Sequence, residues 1–364
     1  MFSRFQTGST RKRGIFALVV LLSLCVDPYF ALGQVSTKKG AQEVPALELE
    51  GGRRLEFVRS ISTEQQVKPN RSLWNRLVDW VAGPPEYHGM VRPYGVALDS
   101  RGRVLVTDPG AGALHILDFE KQKYELVQPG RGRAMQSPMG VAVDADDNIY
   151  VTDSQQGLVF VFAPTGKFLR IIGGRGAGRL FERPTGIAID RKEKQLYVVD
   201  TLRHRVNVLD LQGRLVRSFG QRGLAKGSFN FPTEIAVRGG ELIVVDAMNF
   251  RVQTFSRDGR FLSTFGALGE RAGALLRPKG LALDTEGNIY LADGLLEIVQ
   301  VFSPSGQLLY YFGRSGGGLG EFQLPAGMYI DPRNRIYVAD SLNRRVQVFQ
   351  FRGPANLSAS GGGR

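Results

Sequence analysis

A unit of the form Pro-x-Gly-apolar-x-apolar-Asp recurs through the chain and constrains its fold more than any other feature. It begins at Pro93-Tyr94-Gly95, Pro138-Met139-Gly140, Pro184-Thr185-Gly186, Pro278-Lys279-Gly280 and Pro325-Ala326-Gly327. A variant copy reads Pro232-Thr233-Glu234, with Glu in the glycine position. Successive prolines lie 45 to 48 residues apart. Apolar stretches ending in Asp108, Asp153, Asp200, Asp246, Asp293 and Asp340 keep the same step. Six residues after the Asp comes another apolar stretch, such as Val252–Phe255, Val299–Phe302 or Val346–Phe349. A turn carrying Gly166, Gly213, Gly259 or Gly306 then leads to a fourth, such as Phe261–Phe265 or Leu308–Phe312. Four short strands in each period of about 46 residues describe a propeller blade. A lone blade exposes both faces of its sheet and stacked blades bury them, so the repeats form one all-β domain of six blades. The 46 glycines, well supplied to turns, agree with this.

Closure is legible as well. The sixth repeat supplies only three strands, ending near Phe349–Phe351, while Arg54–Ile61 has the pattern of a fourth strand. Pairing the two closes the last blade with an N-terminal strand and removes two open sheet edges. Residues 53–352 are the propeller, preceded by a linker over 34–52 and followed by a Gly- and Ser-rich flexible tail over 353–364. An insertion over 62–91 does not repeat. Within it, Ser72 caps a predicted helix with Leu73, Trp74, Leu77, Val78 and Val81 on one stripe, ended by Gly83-Pro84-Pro85. That helix either packs over one end of the propeller or binds a partner.

The first 33 residues have the layout of a secretory signal peptide. Arg11, Lys12 and Arg13 precede an apolar run from Ile15 to Val26, and Ala31-Leu32-Gly33 offers small residues for cleavage before Gln34. The run is short for a membrane span, which takes about 20 residues. The expectation is an exported chain of bacterial type, periplasmic or secreted, with no transmembrane segment once matured. Cys25 in a lipoprotein box is the rival reading, but Leu24 stands where a small residue is required. An uncleaved anchor is the other.

The motifs resemble the NHL repeat family. They are Pro-x-Gly-apolar-Ala-apolar-Asp, Asn-Ile-Tyr-apolar-x-Asp and Asn-x-Arg-Val-Gln-Val-Phe, the last cleanest at Asn343–Phe349. The resemblance covers roughly residues 54–351 and implies a six-bladed propeller with four antiparallel strands per blade. It leaves function open, because propellers serve as binding modules and as enzymes.

Departures from the pattern mark candidate binding residues. The family's Arg before the third strand is present as Arg205, Arg251 and Arg345, and it either braces turns within the blade or faces a ligand. At the matching positions stand Ala113, Leu158 and Ile298, with Leu114, Leu295 and Leu296 nearby. If these lie at one end of the propeller, they form an apolar interaction surface. The first strands begin around the central channel with Tyr94, Met139, Thr185, Thr233, Glu234, Lys279 and Ala326. Glu234 is either a solvated side chain on a tolerant turn or a mouth carboxylate for a cation or basic group. The candidate binding set is therefore Tyr94, Leu158, Arg205, Glu234, Arg251, Lys279, Ile298 and Arg345, with no catalytic or metal-ligating residue assigned.

Charge and residue supply narrow the function classes. The net charge is +13, and removal of residues 1–33 takes away four basic residues and one acidic one, leaving +10. Acidic proteins and anionic polymers suit such a chain. One cysteine precludes an intrachain disulfide, and the three histidines His88, His115 and His204 fall at unlike places in the repeat. They make neither a zinc site of the kind implied by a propeller amidating lyase nor a triad base. Gly173–Gly178 lacks the Lys-Ser/Thr end of a phosphate loop and reads as a connector. Nucleic acid is not expected, because the aromatics follow core periodicity. The expectation is an exported binding or scaffold module, without cofactor, that recognises a protein or an anionic envelope polymer through one end of the propeller. The alternative is a metal-dependent enzyme, lyase- or lactonase-like, acting at the channel mouth.

Overall fold

The computed structural model describes residues 46–49, 52–67, 88–130, 132–174 and 179–353. The signal-peptide segment, the helix around Trp74 and the tail beyond Gly353 lie outside these residues.

Blade 1 consists of Val96–Leu98, Val104–Asp108, Ala113–Asp118 and Lys123–Val127. Blade 2 takes Pro138–Val143, Ile149–Asp153, Leu158–Phe162 and Phe168–Ile172. Blade 3 takes Pro184–Asp190, Gln195–Asp200, Arg205–Asp210 and Leu215–Phe219. Blade 4 takes Pro232–Arg238, Glu241–Asp246, Arg251–Ser256 and Phe261–Phe265. Blade 5 takes Pro278–Leu283, Ile289–Asp293, Ile298–Phe302 and Leu308–Phe312. Blade 6 takes Pro325–Ile330, Arg335–Asp340 and Arg345–Arg352 from its own repeat. Its fourth strand is Arg53–Ile61, paired antiparallel with Arg345–Arg352 from Arg54 opposite Arg352 to Ile61 opposite Val346. The predicted closure is therefore present.

One strand lies where the sequence reads as linker. Ala46–Leu49 pairs with Arg53–Glu56 and gives the last sheet a fifth strand. The alternation Leu47, Glu48, Leu49 is too brief to announce a strand; in the register Glu48 lies opposite Arg54, and their side chains pair at 3.0 Å.

The second strand of each blade is buried on both faces. It is accordingly apolar at nearly every residue, as in Leu196–Val199 or Leu242–Val245, both fully covered. The outermost strands alternate between covered and exposed positions, as Phe168–Ile172 does. The core is divided into six layers, each lying between two adjacent blades. The layer between blades 5 and 6 contains Leu55 and Phe57 of the closing strand. This is why an N-terminal strand can seal the ring: it supplies core as well as hydrogen bonds.

Candidate functional site

The strand order sends two kinds of loop to one end of the propeller. First strands start there at the prolines, second strands return there at the aspartates, and the connections between blades cross there. The fold must hold these loops without regular pairing, and the six aspartates do so. All six are fully buried. Each accepts N–H bonds from the segment before its proline, as Asp108 does from Arg92 at 2.9 Å and Asp340 from Gln323 at 2.8 Å.

The arginines in the candidate set divide over this frame. Arg251 donates Nε to Asp246 at 2.8 Å and its other nitrogens to the carbonyls of Leu224, Ala225 and Ser228. Arg345 does the same with Asp340 at 2.7 Å and the carbonyls of Gly317, Gly318 and Glu321. Both are consumed in bracing. In blade 3 the task falls to Arg203, which donates to the carbonyls of Leu180 and Arg179 at 2.8 and 3.0 Å. Arg205 is left half-buried, and its Nε has no hydrogen-bond partner.

The apolar surface expected at Leu158 is corrected by the structure. Leu158 is only 3% exposed and belongs to the layer between blades 1 and 2, and Ala113 is fully buried. Ile298 is half-buried. Each stands opposite its blade aspartate, at the register position that Arg251 and Arg345 hold in blades 4 and 6. The exposed apolar groups stand instead two residues after the aspartates. Leu202, Met248, Leu295 and Leu342, in blades 3 to 6, are 39, 51, 52 and 55% exposed. Leu224 and Leu268, on inter-blade connections at the same end, are also exposed. Of these, only Leu295 stood out in the sequence, yet counting two positions beyond each repeat Asp finds all four.

Inside the ring, the first strands approach one another at the glycine of each repeat. A Cβ on Gly140 would lie 2.5 Å from the Thr185 carbonyl oxygen, and one on Gly186 would lie 2.6 Å from the Glu234 Cα. Only glycine allows that approach. Glu234 holds the sixth such position, and its Oε1 accepts the Ile235 N–H at 3.2 Å. It lines a central cavity of about 300 Å3 together with Val141, Ile187, Leu281, Tyr329 and Arg191. Most of the other side chains that line it are aliphatic. Protein surrounds the carboxyl although the channel leaves it partly accessible, and this burial pushes its pKa up to about 8.

Tyr94 and Lys279 meet across the mouth, the ammonium standing 5.9 Å from the ring centroid. Burial, with the charges of Arg277 and Arg92, draws Lys279 down to about 8. Burial and the Glu234 charge push the Tyr94 phenol up, opposed by Arg183, Arg277 and Arg92. Tyr94, Glu234 and Lys279 are thus brought together. Leu158, Ile298, Arg205, Arg251 and Arg345 belong to the blade bodies around them.

The histidines serve three separate ends. His115 is buried between Tyr124 Oη at 2.8 Å and Asp108 at 3.2 Å, where blades 4 and 6 carry Gln253 and Gln347. His204 accepts the Phe231 N–H at 3.1 Å. His88 meets Glu64 at 3.2 Å and stacks on Tyr124. Among the described residues, no group of three or more His, Cys, Asp or Glu is placed to hold a metal ion.

Comparison with known proteins agrees with this architecture. A six-bladed β-propeller family matches residues 139–218, and the NHL repeat matches residues 322–349. No curated protein matches the sequence. A gluconolactonase from Xanthomonas campestris is 15% identical with a TM-score of 0.58, covering 84% of this chain and 92% of that one. An auxiliary nutrient binding protein from Bacteroides thetaiotaomicron is 14% identical with a TM-score of 0.57, covering 73% of this chain and 70% of that one. A virginiamycin B lyase from Staphylococcus aureus is 14% identical with a TM-score of 0.53, covering 71% of this chain and 95% of that one. Identities this low establish a shared fold and nothing about activity. The chain is a six-bladed β-propeller that carries the NHL repeat.

Proposed function

We propose that this protein is an exported, non-catalytic binding module that docks a protein partner on the proline end of its propeller. The supporting observation is the arc of Leu202, Met248, Leu295 and Leu342, exposed in four consecutive blades. Exposed apolar side chains recurring at one end of a rigid scaffold suit a protein surface better than an anionic polymer, which offers them nothing to bury against. Exposed Arg222, Lys226, Arg271 and Arg344 on the neighbouring turns favour an acidic rim on that partner.

The test is a pull-down from envelope extract with residues 34–364, beside a variant carrying Leu202→Asp, Met248→Asp, Leu295→Asp and Leu342→Asp. A partner retained by the parent and lost by the folded variant is expected. A partner held equally by both overturns the assignment to the arc. Export rests on the N-terminal segment, and sequencing of the protein recovered from its host is expected to begin at Gln34. A chain that begins at Met1 in the cytoplasm would contradict it.

A metal-dependent reaction at the mouth fits the residues poorly. The glycine ring offers one carboxylate, Glu234, and its proton is retained up to about pH 8. The charges nearby, from Lys279, Arg92, Arg183 and Arg277, repel a divalent cation. Stoichiometric divalent metal in the purified protein, removed by chelator, would revive the enzymatic reading.

A further inference from the structure

The residue before each repeat proline reads Arg92, Ser137, Arg183, Phe231, Arg277 and Leu324 around the ring. Arginine thus stands in blades 1, 3 and 5, every second blade. The backbone beneath each one is fixed twice. Its own N–H donates to the blade aspartate, at 2.9 Å for Arg92, 2.9 Å for Arg183 and 3.0 Å for Arg277. A proline follows and sets the next φ. The side chains themselves are exposed. Among the described residues none of the three guanidiniums makes an ion pair or hydrogen bond, unlike those of Arg251 and Arg345. All three stand one residue before a repeat proline, at the same end of the innermost strands around the channel, and the charge of each bears on the Tyr94 phenol.

We propose that the mouth of the central channel binds a small polyanion, a di- or tricarboxylate or a phosphate ester. Arg92, Arg183 and Arg277 would clasp it from three sides, with Lys279 and Tyr94 beneath. Guanidiniums match the planar, multidentate geometry of carboxylate and phosphate oxygens. Lys279 is half-buried, and its stem runs close to Gly294, just after the aspartate that ends the second strand of its blade. The carboxyl beside these four cations, Glu234, keeps its proton up to about pH 8, so below that pH the cations repel one another and a bound anion relieves that repulsion. The fold has no need of them, since Ser137, Phe231 and Leu324 fill the same position in the other blades. This site is distinct from the apolar arc, and either reading can fail without the other.

The test is isothermal titration of the folded protein with citrate and with pyrophosphate, each at matched ionic strength, and with acetate as the monovalent control. Saturable binding of one site's worth of citrate or pyrophosphate is expected, and which of the two binds more tightly tells a carboxylate ligand from a phosphate one. Lys279→Met is expected to weaken that binding at least tenfold, and the triple variant Arg92→Ala, Arg183→Ala, Arg277→Ala to abolish it. The fourfold Asp variant of the arc should bind the anion as the parent does. Affinity should also fall between pH 7 and pH 9. Over that range Lys279, which faces Tyr94, Arg92 and Arg277, loses its proton, and Glu234 gains its charge. No saturable binding by either anion, or binding untouched by the triple variant, overturns the proposal. An acidic peptide that binds through the same four cations more tightly than either anion overturns its small-molecule part.

Discussion

Two sets of arginines share the proline end of this propeller and have opposite relations to the fold. Arg251 and Arg345 each tie an aspartate to an inter-blade loop through several hydrogen bonds, and Arg345 is itself buried. Arg92, Arg183 and Arg277 have their backbone N–H held by the aspartates of their own blades but, among the described residues, spend no side-chain donor on the fold. The first set keeps step with the repeat motif. The second sits one residue outside it and alternates around the ring. In a repeat architecture, what recurs in phase is mostly there to hold neighbouring repeats together. What the repeat does not require is where function is to be sought.

That contrast can be broken by substitution. The largest effect is expected from Asp340→Ala. It removes the acceptor for Gln323, Asn343, Arg345 and Gln347 and leaves a buried guanidinium uncompensated, at about 3–5 kcal/mol by chemical denaturation. Asp293 has no arginine partner and receives only backbone N–H groups, from Leu276, Arg277, Leu295 and Leu296. Asp293→Ala should therefore be milder, about 1–3 kcal/mol. Equal losses would mean that the arginine adds nothing to the brace.

A smaller effect is expected at Glu234. Its pKa in the folded chain is about 8 against the usual 4.5, so between those values the folded state holds a proton that the unfolded state has lost. Stability then falls as pH rises through that window. Glu234→Gln removes the dependence, and the variant should gain on the parent by on the order of 1–3 kcal/mol at pH 9 and by nothing at pH 4. Thermal melts at the two pH values check this. The smallest effect on stability, within about 0.5 kcal/mol, is expected from the triple alanine variant of Arg92, Arg183 and Arg277. A loss as large as that of Asp340→Ala would erase the distinction between the two sets.

The fold was legible because its signal repeats. Six in-phase copies of proline, glycine and aspartate define the strands, and the unpaired pattern at Arg54–Ile61 finds the one free edge that fits it. The site was less legible, because single positions carry no periodicity of their own. Leu158 read as a surface residue because it replaces a cation, whereas the space it fills lies between blades. His115 gave no sign that it would take the place of Gln253 and Gln347 against the aspartate, since its partner Tyr124 comes from a different strand. Glu234 and Lys279 were found by their place in the motif, but their burial is a property of the closed ring.

The seam in blade 6 also has a consequence for how the molecule is made. It joins Arg54 to Arg352, a contact between nearly the two extremes of the described chain. Pairings of such long sequence separation form late and slowly. During synthesis, blades 1 to 5 can stack as they emerge, but the ring stays open until the strand ending at Arg352 has left the ribosome. A chain that stops before Arg345 would lack the third strand of blade 6 and strand the N-terminal segment without its partner, leaving unpaired edges open to self-association.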